Sequence, residues 1–506
     1  MTDNYIEKIL RARVYDVAME SPLEPAPRLS GRLGNAILFK REDLQPVFSF
    51  KLRGAYNKIA YLSESVARRG VICASAGNHA QGVALAAKRR GIPATIVMPQ
   101  TTPAIKVNAV RALGGEVVLH GDGYDAAYEH AQTIVRDRNL AFVHPFDDPD
   151  VIAGQGTIAV EILRQSRGEI DAIFVPVGGG GLISGIAVYA KFLNPKIKII
   201  GVEPVDAAAM HDSMRAKKRV VLDHVGIFAD GVAVKKVGEE TFRLCREYVD
   251  EIVLVDTDEI CAGIQDIFED TRSIVEGAGA LAVAGIKKYC ALNQWKDKRI
   301  VAVNSGANMN FDQLRYVAER SDVGQAREAL LAVEIPEKPG SFLKFCEMLG
   351  SRAVTEFNYR FGRKERAQIF VGFGLARGKE ERDEVVASLK AGGYGVTDMT
   401  DNEIAKLHVR YMVGGHVNGS VASERLFRFE FPERKGALLN FLQAVGTRWN
   451  ITLFHYRNHG SDYGRVLAGI DVPNADMTDF LDHLNVLHFS YSDETNNPVY
   501  RIFLGS

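Results

Sequence analysis

Cysteine is scarce: five in 506 residues (Cys73, Cys245, Cys261, Cys290, Cys346), an odd number with no CxxC pair. That excludes a disulfide framework and a thiolate zinc site, and it fits a reducing compartment. Neither sign of charge is in excess, since 62 Lys and Arg against 63 Asp and Glu leave a formal net charge of -1. A nucleic acid or an anionic membrane would call for a basic surplus or a basic face, so neither partner is expected. No apolar run reaches the length of a membrane span. The opening MTDNYIEKIL has early acids and no apolar core, so neither a signal peptide nor a transit peptide is expected, and the expected setting is cytoplasmic. HExxH and His/Asp clusters are missing, so no metal is expected.

What remains is an ordinary globular composition, 46% hydrophobic and 25% charged, long enough for roughly three or four domains. From about residue 70 to 305, short apolar runs alternate with longer amphipathic segments. Val71–Ala74, Ala94–Met98, Glu116–Leu119, Ala172–Val177, Ile197–Val202 and Ile300–Val303 read as strands, with helices over His79–Lys88 and Leu182–Phe192. Continuous apolar runs separated by helices predict buried parallel strands in an α/β sheet, which bind ligands at their carboxyl ends. The loops after Ala74, Val177 and Val303 are therefore where chemistry is expected.

Beyond about Asp322 the texture changes to an internal repeat. Ile335-Pro-Glu-Lys-Pro-Gly340-Ser-Phe-Leu-Lys-Phe345 matches Phe431-Pro-Glu-Arg-Lys-Gly436-Ala-Leu-Leu-Asn-Phe441, and Phe357-Asn-Tyr359-Arg360 matches Phe454-His-Tyr456-Arg457. A period of about 96 residues is too long for a solenoid unit and predicts two copies of one small α+β module. Leu330–Ile335 and Leu426–Phe431 read as equivalent strands of the two copies.

Four stretches carry chemistry. In Val47-Phe48-Ser49-Phe50-Lys51-Leu52-Arg53-Gly54, a lysine sits among bulky apolar residues; it is either a snorkelling surface residue or an amine whose pKa burial lowers. Gly178-Gly179-Gly180-Gly181-Leu182 follows a strand and opens a helix, so its N–H groups can converge on a phosphate. No Gly-Lys-Ser/Thr follows, which excludes a P-loop, and the dinucleotide fingerprint fails only at its third position, Ser184. Glu203 stands about where a ribose-binding acid would, so a nicotinamide-dependent oxidoreductase stays open on these residues alone. Ser75-Ala76-Gly77-Asn78-His79 offers hydroxyl, amide and N–H groups for a carboxylate and a phenolic oxygen, or simply an N-cap. Asn304-Ser305-Gly306-Ala307-Asn308 presents Ser305 at a third strand end. His79 and His144 have no Ser or Cys partner at catalytic spacing and read as structural.

Taken in order, Ser49-Phe50-Lys51-Leu52-Arg53-Gly54-Ala55, Ser75-Ala-Gly-Asn78-His79, Gly178-Gly-Gly-Gly181-Leu182 and Ser305-Gly-Ala-Asn308 resemble the pyridoxal-phosphate enzymes of the tryptophan-synthase-β fold (fold type II). Within that fold the chain is similar to the threonine ammonia-lyases (threonine dehydratases). The duplicated tail resembles the tandem ACT-like regulatory domains of their biosynthetic, isoleucine-regulated form. The resemblance implies an α/β catalytic domain of two parallel-sheet subdomains over residues 1–322, the smaller roughly 45–150, then ACT-like domains over 328–415 and 424–506. It implies that Lys51 holds pyridoxal 5'-phosphate as a Schiff base, Gly178, Gly179, Gly180, Gly181 and Leu182 cradle the phosphate, and Asn78 meets the phenolic oxygen. Ser305 would meet the pyridine nitrogen, and Ser75, Ala76, Gly77, Asn78 and His79 would line the substrate carboxylate. Phe48 and Phe50 then read as walls excluding water, with Arg53 unassigned. Where relatives often carry Glu-Pro-Ser-Gly-Ala, this chain has Glu276-Gly277-Ala278-Gly279-Ala280.

The implied reaction turns L-threonine, or L-serine in a serine-preferring variant, into a keto acid and ammonia. Isoleucine and valine are the implied effectors, with Tyr359, Tyr456, Gly340 and Gly436 as candidate effector residues, and a homotetramer is the implied assembly. A catalytically silent amino-acid sensor, with the repeat as its working part, is the remaining alternative.

Overall fold

Every residue of Val71–Ala74 and Ala94–Met98 is buried, as continuous apolar runs flanked by helices predict. In the computed structural model these strands lie in a four-stranded parallel sheet, ordered Glu116–Leu119, Ala94–Met98, Val71–Ala74 and Ala141–Phe142. The structure describes residues 4–350, 352–360, 365–412, 421, 423–432, 437–445, 448–457, 463–486, 490–498, 500 and 504. It divides into two units, Met1–Ser321 and Asp322–Ser506.

The first unit holds a second, six-stranded sheet ordered Leu23–Pro25, Ala36–Arg41, Arg299–Asn304, Ala172–Pro176, Lys198–Pro204 and Glu251–Val255. All its neighbours run parallel except the edge strand Leu23–Pro25. The strands Ala172–Pro176 and Arg299–Asn304 are adjacent, so the glycine loop and the Ser305 loop leave the same sheet end. Helices Asn78–Arg90 and Gly181–Leu193 each start within a residue or so of their motif, where the chain turns from strand to helix.

Three strands of that sheet, Leu23–Pro25, Ala36–Arg41 and Glu251–Val255, escaped the sequence pattern. Ala36–Arg41 ends in Lys40 and Arg41, yet both cations are buried. Lys40 donates to Glu161 at 2.6 Å, and Arg41 bonds Asp43 and Glu24 at 2.8 Å. Arg53 lies at the centre of this network, paired with Glu42 at 2.8 Å and Glu161 at 2.6 Å and accepted also by Thr157 and the Met19 carbonyl. Burial works against its charge, and the two carboxylates outweigh it, so the guanidinium is held above its ordinary value.

The second unit is one antiparallel eight-stranded sheet built from two copies of the same β-α-β-β-α-β order. The first copy supplies Glu328–Pro336, Val354–Arg360, Arg366–Gly374 and Gly395–Asp398; the second supplies Glu424–Pro432, Asn450–Arg457, Tyr463–Asp471 and Ser490–Asp493. They join where Val354–Arg360 pairs with Asn450–Arg457, setting Phe357 opposite Tyr456 and Tyr359 opposite Phe454. No helix among the described residues is long and apolar enough to cross a membrane.

Candidate active site

Lys51 opens the helix Lys51–Ala60, and its Nζ donates to the Pro145 carbonyl at 3.0 Å. Burial pulls this amine from an ordinary 10.5 down to about 8, with the Glu276 carboxylate working against the fall. The buried Phe50 ring stands 5.3 Å from Nζ, as a wall should. Phe48 does not: it is 56% exposed, which corrects its reading as a wall. Its backbone explains why. At a φ of 54°, its N–H reaches the Gln45 carbonyl at 2.7 Å and its carbonyl takes the Ala307 N–H at 2.8 Å. The residue is held in the left-handed region to tie the Lys51 segment to the Ser305 loop.

That tie is continuous. Phe50 N–H donates to the Ser305 carbonyl at 3.2 Å, Ser49 and Gly306 form a bridge, and the Asn308 amide donates to the Val47 carbonyl at 2.8 Å. Asn308 also donates to Asn78 Oδ1 at 2.7 Å, while Asn78 Nδ2 donates to Glu276 Oε1 at 2.6 Å. The loops after Val71–Ala74 and Arg299–Asn304 and the turn before the helix Gly277–Asn293 thus meet at Asn78. Ser305 Oγ donates to the Ala278 carbonyl at 3.3 Å, beside the same Glu276 turn.

The Ser75–His79 turn is not side-chain capped: the helix begins at Asn78 with Gly77 as its cap residue. Ser75 Oγ accepts the Gly77 N–H at 3.2 Å instead. A Cβ added at Gly77 would meet nothing within 4 Å, so open space lies before this helix start. His79 is buried, its Nε2 paired to the Val143 carbonyl at 2.8 Å, and burial followed by the Lys51 charge lowers its pKa to about 3. It is therefore a neutral imidazole, and its Nδ1 has no partner among the described residues.

The glycine loop is close-packed on its protein side. A Cβ at Gly179 would lie 2.2 Å from the Phe146 ring, and one at Gly178 2.9 Å from the Val232 backbone. Gly180 has a φ of 95° and caps the helix Gly181–Leu193. Among the described residues, the N–H groups of Gly178, Gly179, Gly180, Gly181 and Leu182 find no protein acceptor. Five converging donors at a helix N-terminus are what a phosphate needs. Glu203 is corrected by its surroundings: buried, it accepts the N–H groups of Met210 at 2.9 Å and His211 at 2.8 Å. Burial pushes its carboxyl up to about 8. A carboxyl spent on capping a helix inside the protein has no reach to a ribose, which removes the support for the oxidoreductase reading.

The donor set fits pyridoxal phosphate: a half-buried lysine whose amine can lose its proton, a run of N–H groups, free among the described residues, at a helix start, and the buried polar side chains of Asn78 and Ser305. Asn304, at the end of the strand leading to Ser305, is buried with neither side-chain amide atom partnered among the described residues. Glu276 was the main group sequence reasoning missed. Burial, then the nearby Asp230 charge, lifts its carboxyl to about 7. The signal was present, an acid heading the small-residue run Gly277-Ala278-Gly279-Ala280, but only packing reveals that it faces Lys51 and Asn78.

In the second unit, Gly340 has a φ of 82° and caps the helix Ser341–Leu349. It lines a cleft with Lys338, Phe342 and Leu343 of the first copy and Leu442, Trp449, Asn450 and Ile451 of the second. The cleft encloses about 10 Å³, room for a single water. Tyr359 and Tyr456 lie in the core and do not line it, the Tyr359 hydroxyl donating to Glu337. Gly436 falls outside the described residues.

Residues 15–306 match the family model "Pyridoxal-phosphate dependent enzyme", and 319–409 and 417–504 match "C-terminal regulatory domain of Threonine dehydratase". The chain is 57% identical over 504 residues to the biosynthetic L-threonine dehydratase of Burkholderia multivorans, covering 99% of both chains. It is 55% identical over 500 residues to that of Escherichia coli, covering 99% of this chain and 97% of the other. Among solved structures, the processed threonine deaminase isoform 2 of Solanum lycopersicum is 54% identical with a TM-score of 0.62, over 63% of this chain and 92% of that one. Maize serine racemase is 33% identical with a TM-score of 0.58, over 62% and 96%. Glycine cradle, half-buried lysine, duplicated tail and full-length likeness agree, and the chain belongs to the pyridoxal-phosphate dependent enzymes, among the biosynthetic threonine dehydratases that carry a C-terminal regulatory domain.

Proposed function

We propose that the chain converts L-threonine to 2-oxobutanoate and ammonia with pyridoxal phosphate, the committing step toward isoleucine. The observation that carries this reading is the end-to-end identity to biosynthetic threonine dehydratases, catalytic and regulatory parts together.

The bound cofactor supplies an electron sink for the charge left when the substrate α-proton departs. This chain's residues do the rest. Lys51 would hold the cofactor and would take the substrate α-proton on Nζ; burial lowers that amine to about 8, so a neutral fraction is present near physiological pH. The N–H groups from Gly178 to Leu182 bind the phosphate. Asn78, oriented by Glu276 and Asn308, would hold the cofactor's phenolic oxygen, and Ser305 its ring nitrogen. A serine there would leave the bound pyridine less protonated than a carboxylate would. That suits elimination, because the charge need persist only until hydroxide leaves. The helix start at Ser75–His79 receives the substrate carboxylate, and Phe50 shields the amine from water.

Assay of keto-acid release from threonine and from serine, with and without isoleucine, tests the whole reading. Faster turnover of serine would replace it with a serine-preferring dehydratase. Apoprotein mixed with pyridoxal phosphate is expected to gain visible absorbance at a rate that rises with pH through about 8, since only the neutral amine attacks a carbonyl. A midpoint at the ordinary 10.5 would mean that Lys51 is not perturbed.

The second unit binds small-molecule effectors, and we assign isoleucine as inhibitor and valine as its antagonist, at the cleft headed by Gly340. The cleft is too small as it stands for an amino acid, so effector binding would widen it, and a ligand that prefers the wider form shifts the population toward it. A chain ending after Ser321 is expected to keep threonine turnover and lose isoleucine inhibition. Inhibition that survives truncation would take the regulatory role away from the tail. The family points to a cytoplasmic homotetramer.

A further inference from the structure

We propose that His144 is a positioning residue, whose imidazole Nδ1 sets both the carbonyl that holds Lys51 and the wall beneath the glycine loop. Sequence reasoning read it as structural, and nothing in the mechanism above uses it.

His144 Nδ1 accepts two backbone N–H groups, from Phe146 at 3.3 Å and from Asp147 at 2.8 Å. Accepting from residues two and three positions on is the geometry of an Asx turn, made here by a ring nitrogen. The residue between, Pro145, has no N–H of its own to anchor the turn. Its carbonyl is the group that accepts from Lys51 Nζ at 3.0 Å.

The same turn controls the cradle. The Phe146 ring meets the His144 ring edge-on at 4.7 Å, and it is the surface that a Cβ at Gly179 would strike. Asp147 accepts the N–H groups of Glu239, Glu240 and Thr241 at 2.9, 3.0 and 3.1 Å, capping the helix Glu239–Tyr248. Thr241 Oγ1 then donates to the Gly179 carbonyl at 2.6 Å. A closed circuit runs from His144 through Phe146 and Asp147 to Thr241 and back onto the glycine loop, with Lys51 attached at Pro145. Two donors on Nδ1 require a neutral ring carrying its hydrogen on Nε2. Burial favours that form, Asp147 and Asp148 oppose it, and the Lys51 charge supports it, for a net lowering of the His144 pKa.

The circuit predicts that an acceptor atom at this place matters more than an imidazole. His144→Asn keeps an acceptor oxygen near the Nδ1 position, His144→Leu keeps bulk without an acceptor, and His144→Gln displaces the acceptor by one bond. Each purified full-length variant is titrated with pyridoxal phosphate, followed by the visible absorbance of the bound cofactor, then assayed for kcat and KM on threonine. For His144→Leu the expected results are a cofactor dissociation constant raised about tenfold and a kcat lowered about 10- to 100-fold. KM is expected to change little. His144→Asn is expected to stay within about threefold of the parent on both measures, with His144→Gln between.

Parent-like cofactor affinity and kcat in a folded His144→Leu would overturn the assignment. So would losses in His144→Asn equal to those in His144→Leu, which would make the imidazole itself the requirement. If His144→Leu does not fold, equal behaviour of Asn and Gln overturns it, and the order Asn above Gln supports it. The inference rests on the lyase reading only for the kcat arm. A parent enzyme that binds the cofactor and leaves threonine untouched would count against that reading alone, with the affinity series still deciding on His144.

Discussion

Lys51→Ala is expected to lower 2-oxobutanoate formation from threonine by about 10,000-fold, because in the proposed reading one substitution removes both the anchor of the cofactor and the group that takes the α-proton. The visible absorbance of the holoenzyme is expected to disappear with it, while the far-ultraviolet dichroism stays unchanged. Stability should not suffer. Lys51 is half-buried, its amine hydrogen-bonded among the described residues to the Pro145 carbonyl alone, and desolvation already works against its charge. Replacing it with alanine therefore removes a desolvated cation rather than a structural ion pair. A variant that keeps the absorbance, or turns over threonine within tenfold of the parent, would move the site elsewhere.

Arg53, two residues along the same helix, is expected to show the opposite pattern. Arg53→Met leaves Glu42 and Glu161 buried with Lys40, paired to Glu161, as the one remaining cation bonded to them among the described residues. Breaking a buried network from one side costs about 3–5 kcal/mol, read as a fall in the urea midpoint of unfolding. Arg53→Met combined with Glu42→Gln removes one of the stranded charges and is expected to recover part of the loss. A change below about 1 kcal/mol, the scale of an exposed ion pair, would show the network to be idle. The two substitutions thus separate chemistry from architecture at neighbouring positions, one losing activity with the fold intact and the other losing the fold's stability.

The pair also illustrates what a linear reading can reach. Lys51 was legible because reactive lysines, glycine cradles and strand-end loops recur in a fixed order, and the Lys51, Ser75–His79, glycine-loop and Ser305 motifs do come to neighbouring loops. The strand Ala36–Arg41 was not legible, because Lys40 and Arg41 break its apolar run and read as a solvated turn. Asp43 stands two residues from Arg41, but Glu161, the partner of Lys40, lies 121 residues away and Glu24, the second partner of Arg41, 17 away, so the local run does not show that both charges are neutralised. Arg53 went unassigned for the same reason. Phe48 misled in the reverse direction: an aromatic beside the lysine reads as a wall, but its side chain points out so that its backbone can bind the Ser305 loop.

The strand runs, the 96-residue repeat and the order of the lysine and glycine-loop motifs were determined by the sequence itself. These depend on local periodicity, on the absence of side chains at four consecutive positions, and on order along the chain, all of which survive in one dimension. The tertiary structure alone decided which polar groups answer one another. It set Glu276 against Lys51 and Asn78, turned Glu203 inward to cap a helix, placed both repeat tyrosines in the core, and made His144 the pivot of the Pro145–Asp147 turn. Each of these is a pairing across long sequence separation or a matter of burial, and the strength of a charge or hydrogen bond depends on the low-dielectric surroundings that only packing creates.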